Sequence, residues 1–565
     1  MLGMLNGSLK VAKGRLTTCQ QLCRVRYSST SAAQQVRKPY YVTTPIFYPN
    51  SVPHIGHLHS VVVADIFARY ARIARPESPV YFMTGTDEHG LKIQKAAQAR
   101  GMDPLAFCDE ISQHFRVLAE KANISNTRFS RTTEQAHHVA VQHLWRQLDA
   151  KGLIYKGKHE GWYAVSDECF YTDKEVTKLP ASADTPEDYY ISTETRSRVE
   201  WTEEENYKFR LSAFQDSLIE HFKQHPDAVY PSQYHSEVLS TLSSPLEDLS
   251  VSRPRSRLSW GVPVPEDPEH TIYVWIDALT VYLSAAGYPW SSTEVGRTRG
   301  WPPNIQVIGK DILRFHAIYF PAMLQALGLP LTTHLLTHSH WTVEQRKMSK
   351  SIGNVVDPIQ ALEEYGVDVV RYYLAKVGGR FKDDVDWSRE QLEKHSREII
   401  SSFGNLYMRM TSKKIQERVG SEEKESILDI ARRAPEGSIL QDLLSSVSNL
   451  GSLVQKQMEG LLLADALDEI MRTLQKGNQL LSETKPWMSS TSTATTTEVY
   501  TAILETLRIS GILLQPFIPS KAQQLLDALG VDEKQRSIAF ASLGGGPIGT
   551  VTGGIRLFEM ASSKK

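Results

Sequence analysis

No apolar run in the chain approaches the roughly 20 residues that cross a bilayer, so membrane insertion is not expected. Cysteine is scarce, at four in 565 residues. Cys19 and Cys23 lie near the N-terminus, while Cys108 and Cys169 stand alone with no CxxC spacing. That excludes a disulfide scaffold and argues against structural zinc, which wants four ligands in paired spacing. A charge excess is also missing: 63 Lys and Arg face 64 Asp and Glu, a net charge of −1. A globally basic nucleic-acid binder is thereby excluded, but a local basic stripe is not. With 41% hydrophobic and 22% charged residues, the composition is that of a globular chain rather than a disordered one. At roughly 100–200 residues per unit, three to four structural units are expected.

One absence is local. No Asp or Glu precedes Asp65, and residues 1–38 carry Lys10, Lys13, Arg15, Arg24, Arg26, Arg37 and Lys38 among several Ser and Thr. Leu2, Leu5 and Leu9 are spaced to share a helical face. An acid-free, amphipathic cation of this kind has the profile of a mitochondrial transit peptide, which would place the protein in the mitochondrial matrix. Arg26-Tyr27-Ser28-Ser29 resembles a matrix-protease cleavage site. A plain disordered tail is the competing reading. Removing residues 1–27 takes away five basic residues and no acidic one, moving the formal charge from −1 to −6.

What is present is an alternating rhythm. Residues 40–44 and 80–83 read as buried strands, with helical patterns at 56–73 and from about 88. The pattern returns at 305–308, with a helix from about 311 and a further strand at 335–338. That alternation predicts an α/β unit with a parallel sheet. Residues 155–270 differ, with short strand patterns, Trp and Tyr clusters and many Pro and Ser, and read as an insert. From about 392 the pattern is helical to near 532, broken at 489–497 by a Ser/Thr run expected to be a solvated loop.

Two strings carry chemistry. Pro53-His54-Ile55-Gly56-His57 follows the first strand and opens a helix, where free N–H groups and the positive helix end suit a nucleotide phosphate. Gly56 allows close approach, and His54 and His57 can donate to oxygens that gain charge in a transition state. Lys347-Met348-Ser349-Lys350-Ser351 follows the strand near 335–338 and suits a clamp on triphosphate. Either string alone is weak. In this order on one sheet they resemble the two signatures of the class I aminoacyl-tRNA synthetases.

The surrounding strings resemble the methionyl-tRNA synthetases of bacterial and organellar type. They are residues 41–50, Thr84-Gly85-Thr86-Asp87-Glu88-His89-Gly90, residues 273–279 and residues 308–316. The resemblance runs from about 39 to about 520. It implies a methionine–tRNA ligase for mitochondrial translation, with a Rossmann-type catalytic domain, an inserted connective domain and an all-α anticodon-binding domain. The expected boundaries are 1–38 for the transit segment, 39–154 and 271–391 for the catalytic halves, and 155–270 for the insert. Residues 392–535 form the helical domain and 536–565 a tail.

The resemblance also implies a site. Pro53, His54, Gly56, His57 and Lys347, Met348, Ser349, Lys350, Ser351 bind ATP, with His54, His57, Lys347 and Lys350 catalytic. Ile46, Tyr48, Trp275, Leu279, Tyr282, Phe315, His316 and Phe320 line a methionine pocket, and Asp87 holds the substrate ammonium. An apolar aromatic slot suits a thioether, which hydrogen-bonds only weakly. The family commonly has Pro at 279 and Trp at 320. Mg²⁺ is expected with ATP, without a protein cage. In the knuckle at 160–171, Ala164 and Asp167 stand where zinc-binding relatives have a Cys pair, so no zinc is expected. The Glu203-Glu204-Glu205 run reads as a solvated face.

Asn405, Arg409 and Trp487 are expected at the anticodon of tRNA(Met), the Trp as a stacking plane. Residues 394–418 hold six Lys and Arg against two Glu, a basic stripe for phosphate. A monomer is expected. Two rivals are a class I ligase for leucine or cysteine and a non-enzymatic RNA-binding derivative. The short insert, the missing Cys ligands and the intact signatures argue against them.

Overall fold

In the computed structural model, residues 37–558 are described, except 166–168, 182–187, 194, 349–352 and 420–424. Of the transit segment expected over 1–38, residues 1–36 lie outside the described residues, while Lys38 belongs to the fold, its Nζ donating to Asn304 Oδ1 at 2.8 Å.

The first strand, β1 (Tyr40–Phe47), is rich in aromatic and β-branched residues that suit a doubly covered sheet. Pro45 cannot donate to the ladder, and the register with the next strand shifts between Thr43 and Ile46. Helix α1 (Ile55–Ala74) follows and is mostly buried. Then come β2 (Val80–Thr86), β3 (Arg128–Arg131) and α2 (Gln135–Ala150). The sheet is completed by β4 (Val229–Tyr230), β5 (Ile305–Gly309) and β6 (His334–His338), in the order β3-β2-β1-β5-β6-β4, every pairing parallel. Helix α3 (Val274–Ala285) leads into the second half of the sheet and α4 (Val367–Gly378) packs on α1.

The stretch expected as a single insert over 155–270 divides. Strands Ile154–Ala164 and Arg198–Phe209 pair along their length as the centre of a separate antiparallel sheet. The following segment returns to the main sheet and supplies its edge strand β4, too short at two residues to read as a strand in the sequence. Within Arg198–Phe209 the side chains alternate. Glu203 and Glu205 face solvent, but Glu204 turns inward to Arg253 at 3.4 Å and Arg257 at 3.0 Å, so the Glu run is not one solvated face.

C-terminal to the sheet come α5 (Asn405–Met410), α6 (Ile439–Glu459), α7 (Leu463–Thr484) and α8 (Thr493–Leu514). Half of the Ser/Thr run expected as a loop is the start of α8, because Ser492 caps it by accepting from Thr495 N. Residues 541–558 are not a loose end: Ala541, Leu557 and Phe558 are buried in the core shared by α1, α4 and the helical bundle. That junction is polar at its centre. Asp65 of α1 pairs with Arg371 of α4 at 2.7 Å, both fully buried. Arg371 also donates to the carbonyls of Pro516 (2.9 Å) and Phe517 (3.2 Å) in the turn after α8. Burial favours the neutral acid, but Arg371 and Arg69 keep the Asp65 carboxyl below its ordinary pKa. No described helix is long and apolar enough to cross a membrane.

Candidate active site

The first motif forms the N-terminus of α1. His54 is the N-cap, and its Nδ1 accepts from Gly56 N at 3.1 Å, while His57 Nδ1 accepts from His54 N at 3.0 Å. Each ring therefore uses Nδ1 as an acceptor and carries its proton at Nε2. The rings lie 3.9 Å apart. Burial, reinforced by His54, drives the His57 pKa well below the usual imidazole range. His57 is thus a neutral donor, its ring edge-on to Phe47 and Phe115. Gly56 also serves the cap of its own helix. A Cβ there would lie 2.9 Å from His54 Cε1, so the glycine lets the His54 ring fold over its own cap. Pro53 is buried just before the cap.

The second motif begins on a two-residue strand, Arg346–Lys347, antiparallel to Trp341–Val343. Lys347 Nζ lies 2.7 Å from Asp311 Oδ2, which His340 Nε2 also approaches at 3.0 Å. Burial opposes ionisation of Asp311, but the hydrogen bond from His340 and the charge of Lys347 hold its pKa far below the carboxylate range. Asp311 was not singled out in the sequence. Met348 packs, partly buried, against the main core. Ser349, Lys350 and Ser351 lie outside the described residues. The chain beyond them returns to the first motif, where Ile55 N donates to Val356 O at 3.2 Å.

The aromatic residues converge beside β1. Trp275 stacks on Phe315 with centroids 3.7 Å apart. Leu279, Tyr282, His316 and Phe320 are buried behind them, and Ile46 packs partly buried against the same cluster. The helix expected from about 311 is irregular: a π-helical turn, Phe315–Tyr319, precedes the α-helix Phe320–Leu327. Such turns re-aim side chains, and this one carries Phe315 and His316. His316 Nδ1 donates to Ile312 O at 2.9 Å, so its Nε2 accepts from Tyr282 OH at 2.8 Å. Burial lowers His316 to about 4 and keeps the pair uncharged. Asp87 is buried at the end of β2, its N–H bonded to Phe47 O at 2.9 Å. Tyr48 OH donates to His89 O at 2.9 Å.

A third group lies on the helical bundle. The Arg409 guanidinium sits 5.4 Å above the ring of Trp487, and Asn405, one turn before Arg409, is exposed. Among the described residues no group of three or more His, Cys, Asp or Glu could hold a metal ion.

Comparison with known proteins adds the family. The model of tRNA synthetases class I (M) matches residues 40–411, and that of the anticodon binding domain of methionyl tRNA ligase matches residues 433–543. The probable mitochondrial methionine–tRNA ligase of Schizosaccharomyces pombe is 42% identical over 522 residues, covering 92% of this chain and 95% of its own. The mitochondrial methionine–tRNA ligase of Homo sapiens is 41% identical over 88% of this chain and 85% of its own. The structure of Mycobacterium tuberculosis methionyl-tRNA synthetase in complex with methionyl-adenylate superposes with a TM-score of 0.83. It is 37% identical and covers 93% of this chain and 100% of its own. This chain belongs to the class I methionyl-tRNA synthetases, the methionine–tRNA ligases.

Proposed function

We propose that the protein activates methionine with ATP to methionyl-adenylate and transfers it to tRNA(Met) in the mitochondrial matrix. A methionine carboxylate oxygen attacks the α-phosphorus of ATP, and the bond to the β-phosphate oxygen breaks to release pyrophosphate. The terminal ribose hydroxyl of the tRNA then attacks the acyl carbon and AMP leaves. Positioning and charge stabilisation supply the acceleration. His54 and His57 donate from Nε2 to phosphate oxygens, and Lys347 and Lys350 draw the leaving pyrophosphate. Asp87 holds the ammonium and Tyr48, Trp275, Leu279, Tyr282, Phe315, His316, Phe320 and Ile46 enclose the thioether chain.

The observation that carries this reading is the juxtaposition at the head of α1. Two neutral imidazoles with fixed Nε2 protons stand one backbone bond, Ile55 to Val356, from the segment that follows the Lys347 motif. Mg²⁺ arrives with ATP and offsets phosphate charge. No structural zinc is proposed, on the ground that Ala164 occupies a ligand position. The anticodon is read by Asn405, Arg409 and Trp487, in a chain acting as a monomer with catalytic halves at 39–154 and 271–391 and a helical domain from 392. Mitochondrial targeting is supported by the acid-free residues 1–38 and by the mitochondrial relatives.

Methionine-dependent exchange between ATP and pyrophosphate, with each amino acid offered in turn, tests the activity. Stimulation by methionine alone is expected, and none at all overturns the reading. Lys350→Ala should lose exchange and keep methionine binding.

A further inference from the structure

A buried ionic cluster lies behind the proposed methionine pocket. Asp277, 1% exposed, has both carboxylate oxygens engaged: His89 Nδ1 at 2.6 Å on Oδ2 and His137 Nε2 at 2.7 Å on Oδ1. The other nitrogen of His137 lies 2.8 Å from Ser284 Oγ. Burial favours the neutral acid, yet the two rings hold the Asp277 carboxyl well below the ordinary range. A charge at this depth is a poor way to gain stability, because apolar packing of equal volume does as well or better. Its effect is geometric, since an ion and two rigid rings with fixed donors tolerate little displacement.

The cluster joins two separate pieces of the pocket. His89 follows Asp87 by two residues on the loop after β2, and its carbonyl accepts from Tyr48 OH. Asp277 follows Trp275 by two residues on α3, the helix that also carries Leu279 and Tyr282. The bond from His89 to Asp277 therefore ties the loop bearing Asp87 to the helix bearing the aromatic wall. His137 of α2 holds the carboxylate from the other side.

We propose that Asp277, clasped by His89 and His137, is a positioning residue that sets the spacing between the ammonium-binding carboxylate Asp87 and the side-chain pocket. This rests on the reading of that pocket given above. The test is methionine-dependent exchange on the full chain, normalised to active sites, with the KM for methionine and for ATP measured separately. Asp277→Asn keeps the size but places an N–H against an imidazole N–H, and should raise the methionine KM about tenfold or more. Asp277→Ala should raise it further, and the ATP KM should stay within about twofold of wild type in both. A methionine KM within about twofold of wild type in Asp277→Asn, or both KM values rising together, overturns the positioning role. If that variant does not fold, His137→Gln decides. A methionine KM raised about threefold with ATP unaffected supports the proposal, and wild-type values overturn it. Asp87→Asn separates the two readings. An unchanged methionine KM there overturns the pocket assignment, whereas a raised one beside wild-type values in Asp277→Asn overturns only the positioning role.

Discussion

Replacing Gly56 by Ala should divide folding from catalysis. The added Cβ would lie 2.9 Å from Cε1 and 3.1 Å from Nδ1 of His54. Both atoms belong to a side chain that can swing away, and no backbone atom is met, so the strain relaxes at the cost of the His54 ring position. Two stability effects oppose each other. Ala favours a helix over Gly by about 0.5–1 kcal/mol, while loss of the cap bond from Gly56 N to His54 costs about 0.5–2 kcal/mol. Unfolding free energy should change by no more than about 1 kcal/mol. Catalysis has no such compensation. Losing one preorganised donor on developing charge costs about 100- to 1,000-fold, so the exchange kcat should fall about 100-fold with the methionine KM unchanged. The assay is methionine-dependent exchange beside denaturant unfolding, on Gly56→Ala, His54→Ala and the double variant. Both single variants remove the same donor, so the double should be no worse than His54→Ala. An exchange kcat within about threefold of wild type, or a double variant losing the product of both factors, refutes the reasoning.

Trp487→Ala should cost about 1–3 kcal/mol in kcat/KM for tRNA aminoacylation, the worth of one stacked base, and leave tRNA-free exchange intact; parallel losses in both assays would remove Trp487 from the tRNA contact. Arg371→Met leaves Asp65 buried and short of its main cation, and urea unfolding should show a loss of about 3–5 kcal/mol; under 1 kcal/mol would mean that water replaces the guanidinium. Stability should also fall with acid in a defined window. Burial lowers His316 and His338 to about 4 from 6.5, so the unfolded chain takes up protons that the folded one refuses. Stability is full above pH 6.5 and declines toward pH 4, at up to about 1.4 kcal/mol per pH unit for each ring. Unfolding at pH 7 and pH 5 measures this, and His338→Gln should shrink the difference by about 2 kcal/mol; an unchanged difference counts against the buried neutral state of that ring.

The centre of the parallel sheet was legible because β1, β2 and β5 are short, mostly apolar or β-branched runs, each followed by a helical pattern. β1 and α1 extend the expected elements by only a few residues. The pocket aromatics were legible through resemblance, since nothing in a lone Trp275 or Phe315 distinguishes a binding wall from a core. Other features depend on contacts that a linear string does not carry. The part Gly56 plays in its own helix cap is not legible in the string, because the atoms that need the space belong to the folded-over ring of His54, its neighbour but one. Glu204 was placed in a solvated run because like charges in sequence point to opposite faces of a strand. Asp277, His89 and His137 meet across 188 and 140 residues of chain, and β4 has too few residues to announce itself.

The guanidinium of Arg371 has a bearing on how far this enzyme can be taken apart. Its acceptors come from three places: a carboxylate on the helix that begins with the histidine motif, the Ala122 carbonyl, and two carbonyls in the turn after α8. A chain ended at residue 411, where the catalytic family match stops, would keep the cation and lose two of its carbonyls, along with the apolar cover from Leu557 and Phe558. The two matched segments are therefore pieces of one cooperative unit rather than exchangeable cassettes. Excising or swapping the helical half would disturb the middle of the very helix whose tip carries His54 and His57.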